Sequence, residues 1–487
     1  MLSMDVKRVY EIFKQLNAIP RASHHEERVA DFLCKYAEAL NLDYDRDKEN
    51  CVVIRKPATK GYENAEPIVI LNHMDMVAVG DGSRPFDPLV DVIDSYVEDG
   101  WMKAHGTSLG ADNGIGLSMA LAVLADDSII HPALEVLTTT NEEDGMSGAA
   151  NLSENFINGR KVINLDSEDY DTITVGAAGA FIQEATIPVN MIPSPAGLTF
   201  FKVAICGGLG GHSGVDINKG RMNAIYEMCR LLFRFRYIVH NTDNQEETIY
   251  LSSINGGSAN ASIPSDCVAV VGVLNCDAEA FQLQMKEGFA KIKCKYEDEQ
   301  NLKMTIEQTD CQKFVIEHED IALMVHNLPC GVIRMHDKIK NTVMTSNNIG
   351  VIRTDTNSIV ISCHTRSFDD NEMIDTANNI KNHLLCFGAD VQEIMNTPGW
   401  QEQKDSPFIS MVSSTFKDVL GFEPRPVAMH FVLEAGYYVQ KYPGIQIACI
   451  GPRIIEPHSV NERVEISTVN NIYLVLIELL KRLAGKE

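Results

Sequence analysis

Two glutamates, Glu142 and Glu143, stand side by side in "TTTNEEDGMSG", at the exit of the apolar run "ALEVLTTT" and next to Asp144. Adjacent like charges repel, and the mouth of a buried strand is a poor place for them. Either the turn is solvated, or something positive lies over it. Similar groups recur at comparable places. "PIVILNHMDMV" is a strand-like run ending in His73 and Asp75, whose two-residue spacing turns both side chains to one side. A carboxylate beside an imidazole is the usual device for fixing the tautomer of a metal-binding histidine. "KVINLDSEDYD" delivers Asp166 at the end of a third apolar run, and "GPRIIEPHSVNE" delivers His458 after a further strand and a Gly-Pro turn. "GTSLGADNGIG" sets Asp112 in a glycine-rich turn just ahead of a helix.

Each of these has an ordinary explanation when taken alone. A His and an Asp at a strand's exit are commonly surface residues, and an Asp before a helix commonly caps it. The case rests on the combination: four strand ends and one helix start deliver these groups. In open α/β sheets, the carboxyl ends of strands are where sites form. Two imidazoles with several carboxylates suit zinc, or cobalt and manganese. Such ions act as a pair ~3.5–4 Å apart that polarises a carbonyl and activates a bridging water. One glutamate of the adjacent pair is then expected to bind metal, and the other to stay free as general base.

The elements that would position these groups alternate along the chain. Up to about residue 190, "VYEIFKQL" and "RVADFLCKYAEAL" have helical periodicity, while "CVVIR", "PIVILN", "ALEVLTTT" and "KVINLD" are short β-rich runs. "NGIGLSMALAVLAD" reads as a buried helix. This texture predicts an α/β layered domain on a partly parallel sheet. The proline-rich "IPVNMIPSPAGLTF" reads as a crossing between domains. Beyond it, "NGGSANASIPSDCVAVVGVLNCDAEAF" and "SNNIGVIRTDTNSIVISCHTRSFDDNEMI" share one layout, an expected duplication of an α/β unit. The α/β pattern then returns to the C-terminal helix "VNNIYLVLIELLKRLA". The expected organisation is a catalytic domain from residues 1–190 and 391–487 with a second domain, 191–390, inserted between them.

A chain of 487 residues exceeds what one core organises. Its net charge of −25 argues against nucleic acid and anionic membranes as partners. The N-terminus lacks a secretory apolar stretch, and no apolar run is long enough to span a bilayer. Twelve scattered cysteines without a C-x-x-C pair fit reduced thiols in a cytoplasmic protein.

In order, "HMD", "GADNG", "NEEDG", "NLDSED", "GGHSG" and "PHS" resemble the co-catalytic zinc exopeptidase family, which includes aminoacylase and glutamate carboxypeptidase. The resemblance spans essentially the whole chain. Within the family it is strongest to the branch that cleaves aminoacyl-histidine (Xaa-His) dipeptides. It implies a mixed-sheet α/β catalytic domain with an inserted α/β lid, and hydrolysis of Xaa-His and other dipeptides with two zinc ions per chain, replaceable by cobalt or manganese. It further implies that His73 binds one ion with Asp75 orienting it, that Asp112 bridges both, that Asp166 completes the first site, and that Glu143 and His458 complete the second. Glu142 becomes the general base. In the lid, His212 of "GGHSG" is implied to hold the scissile carbonyl, with Asn260 and Arg366 contacting substrate, Arg366 at its C-terminal carboxylate. A doubled lid can complete the site from its own chain, so both monomer and homodimer fit.

Two other readings compete. An N-acyl amino-acid deacylase of the same fold would use the same ligands and base. A nucleotide-binding protein is suggested by Gly208 to Gly214, which match G-x-G-x-x-G. The polar "VDINKGR" that follows is a poor start for the helix this motif needs.

Overall fold

The computed structural model describes residues 4–83, 85–239, 249–317, 320–403 and 405–485. The chain forms two compact units. The first comprises Met1–Gly176, Gln401–Ala428 and Glu434–Glu487, and the second Ala177–Trp400 and Met429–Leu433. The divisions thus fall at 176/177 and 400/401, with a short return at 429–433, where the sequence placed them at 190 and 390. The proline-rich stretch is not a crossing. Pro188 closes the strand Gly179–Pro188, and Pro193 ends the short strand Met191–Pro193, paired with Phe314–Ile316 inside the second unit. Proline is tolerated at both places because strand ends and edges leave its missing N–H unneeded.

The first unit is built on an eight-stranded sheet. Its order is Asp43–Arg46, Val52–Lys56, Leu134–Thr139, Ile68–His73, Lys161–Asn164, Gln446–Cys449, Thr172–Ala177, Arg425–Met429. Leu134–Thr139, Ile68–His73, Lys161–Asn164 and Gln446–Cys449 run parallel to their neighbours within that group. Ile68–His73 and Leu134–Thr139 are buried along their whole length, which explains their unbroken apolar sequence. The helix Ala111–Leu124 is also buried nearly all round, so it shows no polar stripe. Ser406 opens the helix Pro407–Leu420 by accepting from Ile409 N at 3.1 Å, and Gly421 closes it in a left-handed conformation.

The second unit carries a sheet ordered Lys303–Thr309, Leu198–Cys206, Cys267–Leu274, Ile249–Gly256, Val343–Thr354, Ser358–Ser367, Gly179–Pro188, Asp390–Thr397. The order mirrors about its centre. The hairpin Ile249–Gly256/Cys267–Leu274 leads to the helix Ala278–Lys295 and the edge strand Lys303–Thr309. The hairpin Val343–Thr354/Ser358–Ser367 leads likewise to the helix Asp370–Leu385 and the edge strand Asp390–Thr397. The duplicated layout read from the sequence therefore corresponds to two matching halves of one sheet. Ile359, Ile361 and Cys363 face the helices in the core, and strand alternation turns Ser362, His364 and Arg366 to the opposite face.

Candidate active site

Three adjacent parallel strands of the first unit present their carboxyl ends together. His73 ends Ile68–His73, the Glu142–Glu143 turn follows Leu134–Thr139, and Asp166 follows Lys161–Asn164. Asp112 enters from the first turn of Ala111–Leu124, and His458 from the loop after Ile454–Ile455. The ordinary explanation for Asp112 fails here. The N-terminal cap is Gly110, which has no side chain to cap with, and Asp112 itself has non-helical φ/ψ. The peptide bond Asp112–Asn113 is cis.

Asp112 lies between the two histidines. Its Oδ1 is 3.1 Å from His73 Nε2 and its Oδ2 is 3.1 Å from His458 Nε2. Asp166 Oδ1 is 3.2 Å from His73 Nε2 on one side, and Glu143 Oε2 is 2.8 Å from His458 Nε2 on the other. Asn113 Nδ2 donates to Asp166 Oδ1. Asp75 Oδ1 is 3.4 Å from His73 Nδ1. The same carboxylate also accepts the backbone N–H of Glu142 (3.1 Å) and of Glu143 (3.2 Å), with Ser23 Oγ at 2.8 Å. One buried carboxylate thus faces the imidazole and anchors the glutamate turn through its backbone, a second task the sequence did not reveal. His24 and His105 are exposed.

The donor set fits divalent cations. Ligand atoms of His73, Asp112 and Glu143 lie within 4.8 Å of one another, as do those of His73, Glu142 and Asp166. Negative groups outnumber positive ones, and the titration behaviour reflects this. Burial opposes a charged His73, yet Asp166, Asp112 and Asp75 hold its pKa well above the ordinary value. Hydrogen bonds to Asp112 and Glu143 push His458 up to about 11. Burial, reinforced by neighbouring carboxylates, drives Glu142 well above the usual range and Glu168 to about 8. Glu143 Oε1 is buried without a hydrogen-bond partner. Bound cations are the charge that such a cluster lacks.

Within the second unit, His212, Asn260 and Arg366 are brought together. Residues 211–212 pair with 262–263, Ser213 N donates to Ala261 O at 2.7 Å, and Ser213 Oγ meets Arg366 Nε and Nη2 at 3.4 Å. His212 Nδ1 accepts N–H bonds from Gly214 (3.2 Å) and Val215 (3.1 Å). This leaves the proton on Nε2, where it can be donated. Burial, with the charge of Arg366, lowers the His212 pKa and keeps the ring neutral. Arg366 is 3 % exposed and its Nη1 has no partner. A buried guanidinium with an unpartnered nitrogen is suited to an anionic ligand. The glycine-rich stretch before His212 leads into strand and turns, not into a helix, so the dinucleotide motif lacks its structural context.

His430 was missed. It belongs to the short return into this unit, is buried, and meets Ser346 Oγ through Nε2 at 2.8 Å while its Nδ1 is unpartnered. Burial, then the charges of Arg366 and His212, lower its pKa to about 3. Between pH 3 and the ordinary 6.5, the unfolded chain binds a proton here that the folded chain does not. Its contribution to stability is therefore complete above pH 6.5 and lost as pH falls toward 3, by about 2 kcal/mol at pH 5. Thermal unfolding between pH 7 and 5 is expected to be steeper in wild type than in His430→Gln; equal slopes would contradict this.

A mixed sheet with four parallel central strands, a His–carboxylate cluster at their carboxyl ends and a second α/β unit inserted in the chain fit a metal-dependent hydrolase. Residues 69–482 match peptidase family M20/M25/M40, and the chain belongs to this family. It is 34% identical over 488 residues to the cytosol non-specific dipeptidase of Escherichia coli K12, covering 98% of each chain. The crystal structure of aminoacylhistidine dipeptidase from Vibrio alginolyticus superposes with a TM-score of 0.92 at 30% identity, over 99% of this chain and 97% of that one. An aminopeptidase from Bacillus cereus shares the fold, with a TM-score of 0.57 at 16% identity over 99% of each chain. Among the described residues, no helix is long and apolar enough to cross a membrane.

Proposed function

We propose that this chain is a metal-dependent dipeptidase that cleaves Xaa-His dipeptides and others besides. The observation that carries the reading is Asp112, whose two oxygens divide between His73 and His458 with Glu142 and Glu143 alongside. His73, Asp112, Glu143, Asp166 and His458 would hold the metal, two zinc ions by this reading, with cobalt or manganese as substitutes. Bound there, divalent cations supply Lewis acidity that draws charge from the scissile carbonyl and makes water a nucleophile near neutral pH.

The chain's own groups do the rest. Glu142 takes the proton of the attacking water as the C–O bond forms, and returns it to the amine nitrogen as the C–N bond breaks. Asp75 holds His73 and the backbone of Glu142 in place. His212, neutral with its proton on Nε2, donates to the oxygen as it becomes anionic. Arg366 takes the C-terminal carboxylate, which answers its unpaired burial, and Asn260 adds a substrate contact. The cytoplasm suits an enzyme of this kind, as monomer or homodimer.

The test is a panel of dipeptides, several of them Xaa-His, set against N-acyl amino acids. Cleavage of the dipeptides with little turnover of the acyl compounds is expected. The reverse ranking would make the enzyme a deacylase of the same fold.

A further inference from the structure

Arg21 and Glu462 belong to no ligand set, yet both are buried, at 2 % and 3 % exposure, behind the cluster. The Glu462 carboxylate accepts four consecutive backbone N–H groups. Leu109 N and Gly110 N reach Oε2 at 2.7 and 2.8 Å, and Ala111 N and Asp112 N reach Oε1 at 2.8 and 3.2 Å. These are the unpaired donors at the start of the helix Ala111–Leu124, satisfied by a residue about 350 positions away and four residues after His458. Arg21 grips the carbonyl side. Its Nη2 donates to Gly110 O at 2.6 Å, and its Nη1 donates to Met74 O and Asp75 O at 3.2 and 3.1 Å. The space is closed to anything larger than hydrogen at two glycines: a Cβ would lie 2.4 Å from Arg21 Nη2 at Gly110 and 2.6 Å at Gly114. Glu462 is the strongest of the charges that offset the burial of Arg21.

We propose that Arg21 and Glu462 are positioning residues that lock the segments carrying His73, Asp112 and His458 into one metal-binding arrangement. The inference rests on the metal-site reading above. Neither residue touches substrate or metal. Both act through the backbone, as partners behind a ligand do when they fix its direction. Glu462 has a double hold, since it shares a loop with His458 and binds the N–H of Asp112 itself. A glutamine there would turn an amide NH₂ toward two of the four N–H donors.

The test is titration of the metal-free full chain with zinc against a chromophoric chelator, for wild type, Glu462→Gln and Arg21→Lys. Glu462→Gln is expected to weaken zinc binding roughly 10–100-fold, with turnover restored by excess zinc. Arg21→Lys keeps the charge but loses the two-armed fork, and is expected to weaken binding in the same direction. A purely structural role would lower the melting temperature and leave zinc affinity unchanged, which would overturn the inference. Wild type that binds no zinc would instead overturn the metal-site reading. Amide exchange of residues 109–112 in metal-free wild type gives a second measurement, needed if a variant fails to fold. Strong protection is expected, and exchange at exposed rates would contradict the proposal.

Discussion

Glu142→Gln is expected to lower kcat by about 10²–10⁴-fold, the usual worth of a positioned proton carrier, while metal content stays at the wild-type level. The substitution preserves shape but removes the charge and the ability to accept a proton. Backbone placement is unaffected, because Asp75 holds residue 142 through its main-chain N–H at 3.1 Å. The geometry makes the experiment decisive, since the Glu142 carboxylate lies in the same group as His73 and Asp166. If the variant loses metal together with activity, Glu142 is a ligand and the base lies elsewhere. If it keeps normal turnover, the assignment is wrong outright. Metal analysis beside steady-state kinetics separates these outcomes.

Asp112→Asn is expected to remove activity by a different route, through loss of metal from both positions at once. No other carboxylate in the cluster contacts both histidines at hydrogen-bond distance, one oxygen to each. An amide replaces one of those oxygens with a donor and removes the charge. The weakening should exceed the roughly 10–100-fold that loss of an outer partner costs. It should also exceed that of Glu143→Gln, because Glu143 meets only His458. Metal retained by Asp112→Asn at wild-type affinity would show that this carboxylate does not join the two positions.

The contrast between these residues and the ones behind them shows what a sequence discloses. His73, Glu142, Glu143 and Asp166 were legible because each follows an apolar run that can only be a buried strand, and parallel strands bring such ends together. The helix Ala111–Leu124 was legible from its composition, yet the same glycine-rich start disguised Asp112 as a cap. Glu462 supplies that cap, and no local pattern could announce a partner so distant in the chain. Arg21 and Glu462 act on backbone atoms, whose demands leave little mark on residue type. His430 lies in a five-residue return of the chain, too short to carry a period. Pro188 and Pro193 misled for the opposite reason: proline is a strong breaker signal, but at strand ends it breaks nothing.

The most direct test of the account is recovery of activity when zinc is returned to the chelated enzyme. Dipeptide hydrolysis should vanish on metal removal and rise with added zinc to full activity at two equivalents per chain. Undiminished hydrolysis by protein shown to be metal-free would contradict the account at its centre.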